Sequence, residues 1–152
     1  MPRALKILLI VIVSILILGG GCYLALWVQL QNKNSQAEEN NEKAKLEAID
    51  WSPGKNQSQA IEEAIRRGKE CGYVPDIVCI LGHYTFLSYS LKLTKQVPNL
   101  CNEVPDGIDT EKVALWRFNR CQSLAPEHPP MCANVIRAIE EHCRNVSQHK
   151  EK

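Results

Sequence analysis

Apolar positions along the chain fall into one long unbroken block and four shorter periodic ones. Residues 7–30 contain no charge at all. Residues 31–50 are dominated by Asn, Gln, Glu and Lys, with Leu46 the first large apolar side chain. Such a segment reads as a polar tether, with partial helix left open, and as too polar to bury. From Trp51 onward, apolar residues recur at helical spacing. Ala60, Ile61, Ala64 and Ile65 make one face of a helix expected over residues 59–70, with Ser58 as its N-cap and Gly72 as its stop. A second helix, capped by Asp76, runs to about Lys95. Its apolar residues include Ile77, Ile80, Leu81, Tyr84, Leu87 and Leu91, with Val78, Phe86 and Leu93 on other faces. A helix that is apolar nearly all round is expected at the centre of the core. Gly82 within it signals a close helix approach or a break.

Pro98 and Pro105-Asp106-Gly107 frame a loop, after which Asp109 or Thr110 starts a third helix carrying Ala114, Leu115, Phe118 and Cys121 at helical spacing. The prolines of residues 125–130 predict a turn. A fourth helix, about residues 131–145, aligns Cys132, Val135, Ile136, Ile139 and Cys143 on one stripe. No segment alternates with period two. The expected fold class is therefore all-α: an N-terminal transmembrane helix plus a small disulfide-stapled four-helix domain, divided as 1–30 cytoplasmic tip and anchor, 31–50 tether, and 51–152 exported Cys-rich helical domain.

The anchor follows from length. As a helix, residues 7–30 rise roughly 36 Å, enough to cross a hydrocarbon core of about 30 Å with some tilt. Arg3 and Lys6 precede the block and only Lys33 follows closely, which favours a cytoplasmic N-terminus in a single-pass inner membrane and a periplasmic or extracellular C-terminal domain. Two rivals share this outcome. Residues 7–18 followed by Gly19-Gly20-Gly21 have the shape of a cleavable signal, and Cys22 after small residues resembles a lipoprotein acylation site. The apolar run continuing through Tyr23-Leu24-Ala25-Leu26-Trp27-Val28 favours a retained span.

Charge narrows the partners. The chain carries a formal net charge of +1, and residues 51–152 hold 13 Lys/Arg against 12 Asp/Glu, so no basic face for nucleic acid is indicated. Six cysteines follow the anchor: Cys71, Cys79, Cys101, Cys121, Cys132 and Cys143. In a small exported domain an even set reads as disulfides. Their spacing matches no zinc finger, haem or C-x-x-C redox motif, so neither metal nor other cofactor is expected. The turn between the last two helices brings Cys121 near Cys132, the firmest expected pair. Cys71–Cys79 and Cys101–Cys143 come next, with the connectivity otherwise open.

No residue pattern announces catalysis. There is no P-loop, no H-E-x-x-H, no Ca²⁺ loop and no nucleophile elbow. Of the four histidines, His83 is expected to be a satisfied core polar group, His142 to lie on a solvated face with Arg137 and Glu141, His128 to sit in the proline turn and His149 in the charged tail. A non-enzymatic protein-binding role is expected instead. Trp116, Arg117 and Arg120 are candidates for an aromatic–cationic patch, His128 for a rigid loop contact, and Val104, Asp106 and Ile108 for a second loop. Burial of Trp116 against Pro129-Pro130 is the competing reading.

The order of these landmarks resembles the Rap/Tai family of type VI secretion amidase immunity proteins. The matching pieces are Cys71, Cys79-Ile80-Leu81-Gly82-His83-Tyr84, Leu100-Cys101-Asn102-Glu103-Val104-Pro105-Asp106-Gly107-Ile108, and the run from Pro126 through Ile139 to Cys143. The resemblance covers residues 71–143. The chain departs from the family in its apolar N-terminal block, its additional Cys121/Cys132 pair and its Gly–Tyr spacing after Cys79. The resemblance implies an all-α periplasmic inhibitor that occludes a peptidoglycan-cleaving amidase toxin, with no binding residue carried over. A stiff loop at residues 104–109 or 125–131 would fill the cleft. The competing class is a non-catalytic envelope adaptor or assembly protein.

Overall fold

The computed structural model describes residues 35–72, 76–105 and 109–150, and before them Trp27, Gln29 and Gln31. The chain divides into Met1–Gln36 and a compact unit, Ala37–Lys152, which carries the helical domain. Apart from Trp27 and Gln29, the expected anchor lies outside the described residues. Among the described residues no helix is long and apolar enough to cross a membrane.

Among the described residues from 35 onward, five α-helices stand where four were expected after the anchor. They are α1 (residues 35–51), α2 (Gln57–Gly68, extended by a 3₁₀ turn at Lys69–Cys71), α3 (Ile77–Leu93), α4 (Thr110–Leu124) and α5 (Pro129–Lys150). The additional helix comes from the segment expected to be a tether. Its polar composition conceals two alanines one turn apart, Ala44 and Ala48, which are buried in the core. Small side chains let the backbone of α1 approach while its charged residues stay at the rim. Asn41 accepts a hydrogen bond from Thr85 Oγ1 (3.0 Å), and Lys45 lies over the Tyr89 ring one turn further on. Trp51 meets the edge of Phe86 at 5.5 Å between centroids. This explains why α3 is apolar on more than one side: α1 covers the face that holds Phe86.

Local caps set the remaining helices. Asn56, not Ser58, caps α2: its side chain accepts from the Gln59 backbone N–H while Gln59 accepts from the Asn56 N–H, a reciprocal capping box. Asp76 caps α3 through the Val78 amide, and Asp109 caps α4 through the Lys112 amide. Helix α5 begins two residues earlier than expected, at Pro129. Proline is favoured at the first helical position because it has no N–H to leave unpaired. The same prolines still enforce the turn before it.

Among the helices after residue 56, α3 packs most extensively on α5 and next on α2. Ile61, Ile65, Ile80, Phe86, Leu87, Leu91, Val135, Ile136 and Ile139 form the centre of the core. Ile77, Leu81 and Leu93 of α3, in contrast, are exposed. Gly68 permits the close approach of α2 to α5, since a Cβ there would lie 2.4 Å from Met131 Sδ. Gly82 marks neither a break nor a close approach: α3 is continuous through it, and a Cβ there meets nothing within 4 Å.

Candidate functional site

The six cysteines after the N-terminal block are joined as Cys71–Cys79, Cys101–Cys143 and Cys121–Cys132. Cys121 and Cys132 are fully buried and Cys143 nearly so, whereas Cys71 and Cys79 are both half-buried. Cys79 lies in the first turn of α3. One turn further on, His83 Nε2 stands 3.6 Å from its sulfur. A cavity of about 300 Å³ opens beside them, with Glu47, Asp76, Gly82 and Phe86 among its lining residues. Burial, and then the Arg67 guanidinium, lower the pKa of His83. While the two sulfurs are bonded, neither is a thiolate ligand.

The aromatic–cationic patch expected on α4 is dismantled by the fold. Arg117 turns inward and grips Glu140, a carboxylate only 3% exposed, through both of its oxygens, with Nη2 at 2.6 Å from Oε2. That hydrogen bond raises the pKa of the guanidinium, which serves the interior. Trp116 is half-buried against the core, as is Val104. Arg120 remains exposed. His128 is half-buried, its amide donating to the Ala125 carbonyl and its own carbonyl accepting from the Cys132 amide. Asp106 and Ile108 lie outside the described residues.

The inward stripe of α4 is rotated from the expected one. Val113 and Cys121 face inward, with Arg117 between them, while Leu115 and Phe118 are each 54% exposed. Two interactions fix this facing: the Cys121–Cys132 bond and the Arg117–Glu140 pair. Neither is visible in hydropathy, because an inward arginine reads as a surface residue and its apolar neighbours read as core. The result is an apolar pair at i and i+3 on the outer side of a helix clamped from within.

His142 also departs from expectation. It is half-buried beside Gln57, which is itself 2% exposed. The Gln57 side chain donates to the Leu91 carbonyl at 3.0 Å, accepts from the Val97 amide at 3.0 Å and reaches His142 Nε2 at 3.1 Å. The Val97 contact fixes the Gln57 oxygen, so the group facing His142 is the amide NH₂ and His142 Nε2 must accept. The imidazole is therefore neutral with its proton on Nδ1. Burial, followed by Lys92, lowers its pKa accordingly. At the preceding residue of α5, Tyr84 donates to Glu141, and burial with that bond pushes the phenol up to about 12.

Among the described residues these groups make polar clamps between helices. Comparison of the chain with protein-family models, curated proteins and solved structures finds no match.

Proposed function

We propose that this protein is a non-catalytic binding protein, held at the inner membrane by residues 7–30 with its helical domain on the outer side, and that it occludes an exported protein of the peptidoglycan-amidase class. The observation that supports binding is the outer face of α4. Leu115 and Phe118 are more than half exposed on a helix whose inner side is fixed by a buried disulfide and by an ion pair to a buried carboxylate. A preordered apolar pair loses little entropy on docking, which is what an inhibitor needs. The amidase as partner rests on the resemblance of residues 71–143 to immunity proteins.

The test is growth of cells exporting the product of the neighbouring gene to the periplasm, with and without this protein, alongside co-purification of the two chains. Rescue by the anchored protein and capture of the toxin are expected. Leu115→Asp/Phe118→Asp should abolish rescue and weaken capture by about thirtyfold or more, as for loss of an interface anchor. Toxicity without rescue, or no toxicity at all, would transfer the domain to the envelope-adaptor class.

A further inference from the structure

We infer that Cys71, Cys79 and His83 form a redox-gated site for a thiophilic divalent cation, with zinc the representative ion, which takes the place of the disulfide when that bond is reduced. The two sulfurs and an imidazole nitrogen all lie within 4.8 Å of one another. Tetrahedral zinc holds sulfur at about 2.3 Å and nitrogen at about 2.0–2.1 Å, which sets such a pair of ligands about 3.5 Å apart. Cys79 Sγ and His83 Nε2 are already 3.6 Å apart, on the same face of α3 one turn from each other. By the same geometry two thiolates stand about 3.8 Å apart, so the Cys71 sulfur need withdraw by less than about 2 Å from its bonded position. Cys71 closes the 3₁₀ turn that ends at Gly72, where φ is +83°, at the edge of the domain and not in its core.

The surroundings supply the rest of a metal site. Cys79 occupies the first turn of α3, where the amide end of the helix favours a thiolate. The cavity of about 300 Å³ gives the fourth position to water; its wall carries Glu47 and Asp76 as well as Lys43, and Glu47 is paired with Arg67, so the cation is held by its three ligands and not by the charge of the wall. The other two disulfides have no such outlet: among the described residues, no histidine or carboxylate clusters with their sulfurs at ligand spacing.

The exchange balances without any other component. A dithiol reductant, small-molecule or protein, attacks the Cys71–Cys79 bond through a mixed disulfide and leaves as its own disulfide. Two electrons and two protons pass to the two cysteines. Cation binding then displaces both thiol protons to solvent, leaving a neutral dithiolate–zinc unit with neutral His83 as third ligand.

The experiment uses the full chain in detergent, treated with graded dithiol and then with cobalt(II), a visible reporter of tetrahedral thiolate sites. Alkylation mapping should show Cys71 and Cys79 released first. Cobalt should then produce thiolate charge-transfer absorption, saturating at one ion per chain and bleached by zinc. His83→Ala should weaken cobalt binding by about a hundredfold, because even loss of an outer-shell partner costs about 10–100-fold. Should that variant lose helical circular dichroism, His83→Gln, which preserves bulk, is read in its place with the same expectation. The inference is overturned if the freed pair gives no charge-transfer band, if a folded His83 variant binds as tightly as the wild type, or if all six cysteines are released together.

Discussion

At the α4–α5 end, the Cys121–Cys132 bond and the Arg117–Glu140 pair lie on the inner side of α4, and what remains outside is an apolar pair. At the α2–α3 corner, the Cys71–Cys79 bond sits half-exposed over a cavity, and its polar neighbours, Glu63, Arg66, Arg67 and Glu47, form a network along the surface. Both corners use a cysteine pair close in sequence, with separations of 11 and 8 residues. The difference lies in access. A buried bond next to a buried charge holds a surface in place, whereas an accessible bond next to an imidazole is open to chemistry. Glu63 shows how well the outer network is served: hydrogen bonds from Arg66 and Arg67 bring its pKa down to about 2 against the effect of burial.

The largest effect should come from neither corner but from the bond that spans the domain. Cys101–Cys143 closes 42 residues. Replacing both with Ala should cost about 4 kcal/mol, against about 2.5 for the Cys71/Cys79 double variant, by loop-closure entropy. Denaturant midpoints of the two variants check the ranking, and equal losses would sink it. Next, Arg117→Ala should cost about 3 kcal/mol because it strands the buried Glu140 carboxylate. Glu140→Ala should cost less, since Arg117, with 29% of its side chain exposed, can reach water. The reverse order in urea titrations would contradict the inward role of Arg117.

Acid should act through the histidines. Burial holds the folded pKa of both His142 and His83 below the ordinary value of 6.5. The unfolded chain then binds protons that the folded one refuses. Their contribution is fully present above about pH 6.5 and falls away as pH drops through the lower folded values. Unfolding midpoints should therefore decline from pH 7 towards pH 5, and His142→Gln should flatten that decline. A slope unchanged in the variant would remove His142 from the account. The smallest effect expected is a gain. Gly82→Ala adds a methyl group into open space within a helix and should stabilise by up to about 1 kcal/mol, read as a rise in Tm.

Much of this architecture is legible in the sequence because it is local. Asp76 and Asp109 announce α3 and α4 through cap chemistry, and the stripe of Val135, Ile136 and Ile139 announces the inner face of α5. The proline turn brings Cys121 to Cys132. What escapes detection is settled between segments. Ala44 and Ala48 carry little hydropathy among lysines and glutamates, yet small size is what lets α1 bury them. Leu115 and Phe118 look like core until the pairing of Arg117 with Glu140, 23 residues away, decides which side of α4 faces in. His142 reads as solvated because Gln57, its partner, lies 85 residues earlier. Periodicity registers an apolar stripe but not a polar residue that is buried because its partner is.

Gln57 also bears on how the chain reaches this state. Its three side-chain contacts join residues 34, 40 and 85 positions away. The full set forms only when α3, the segment after it and α5 have come together around α2. Such a residue belongs to the end of the reaction and not to its nucleus. Truncating it should leave the refolding rate nearly unchanged and hasten unfolding, so the lifetime of the native domain depends on a glutamine that contributes almost nothing to its assembly.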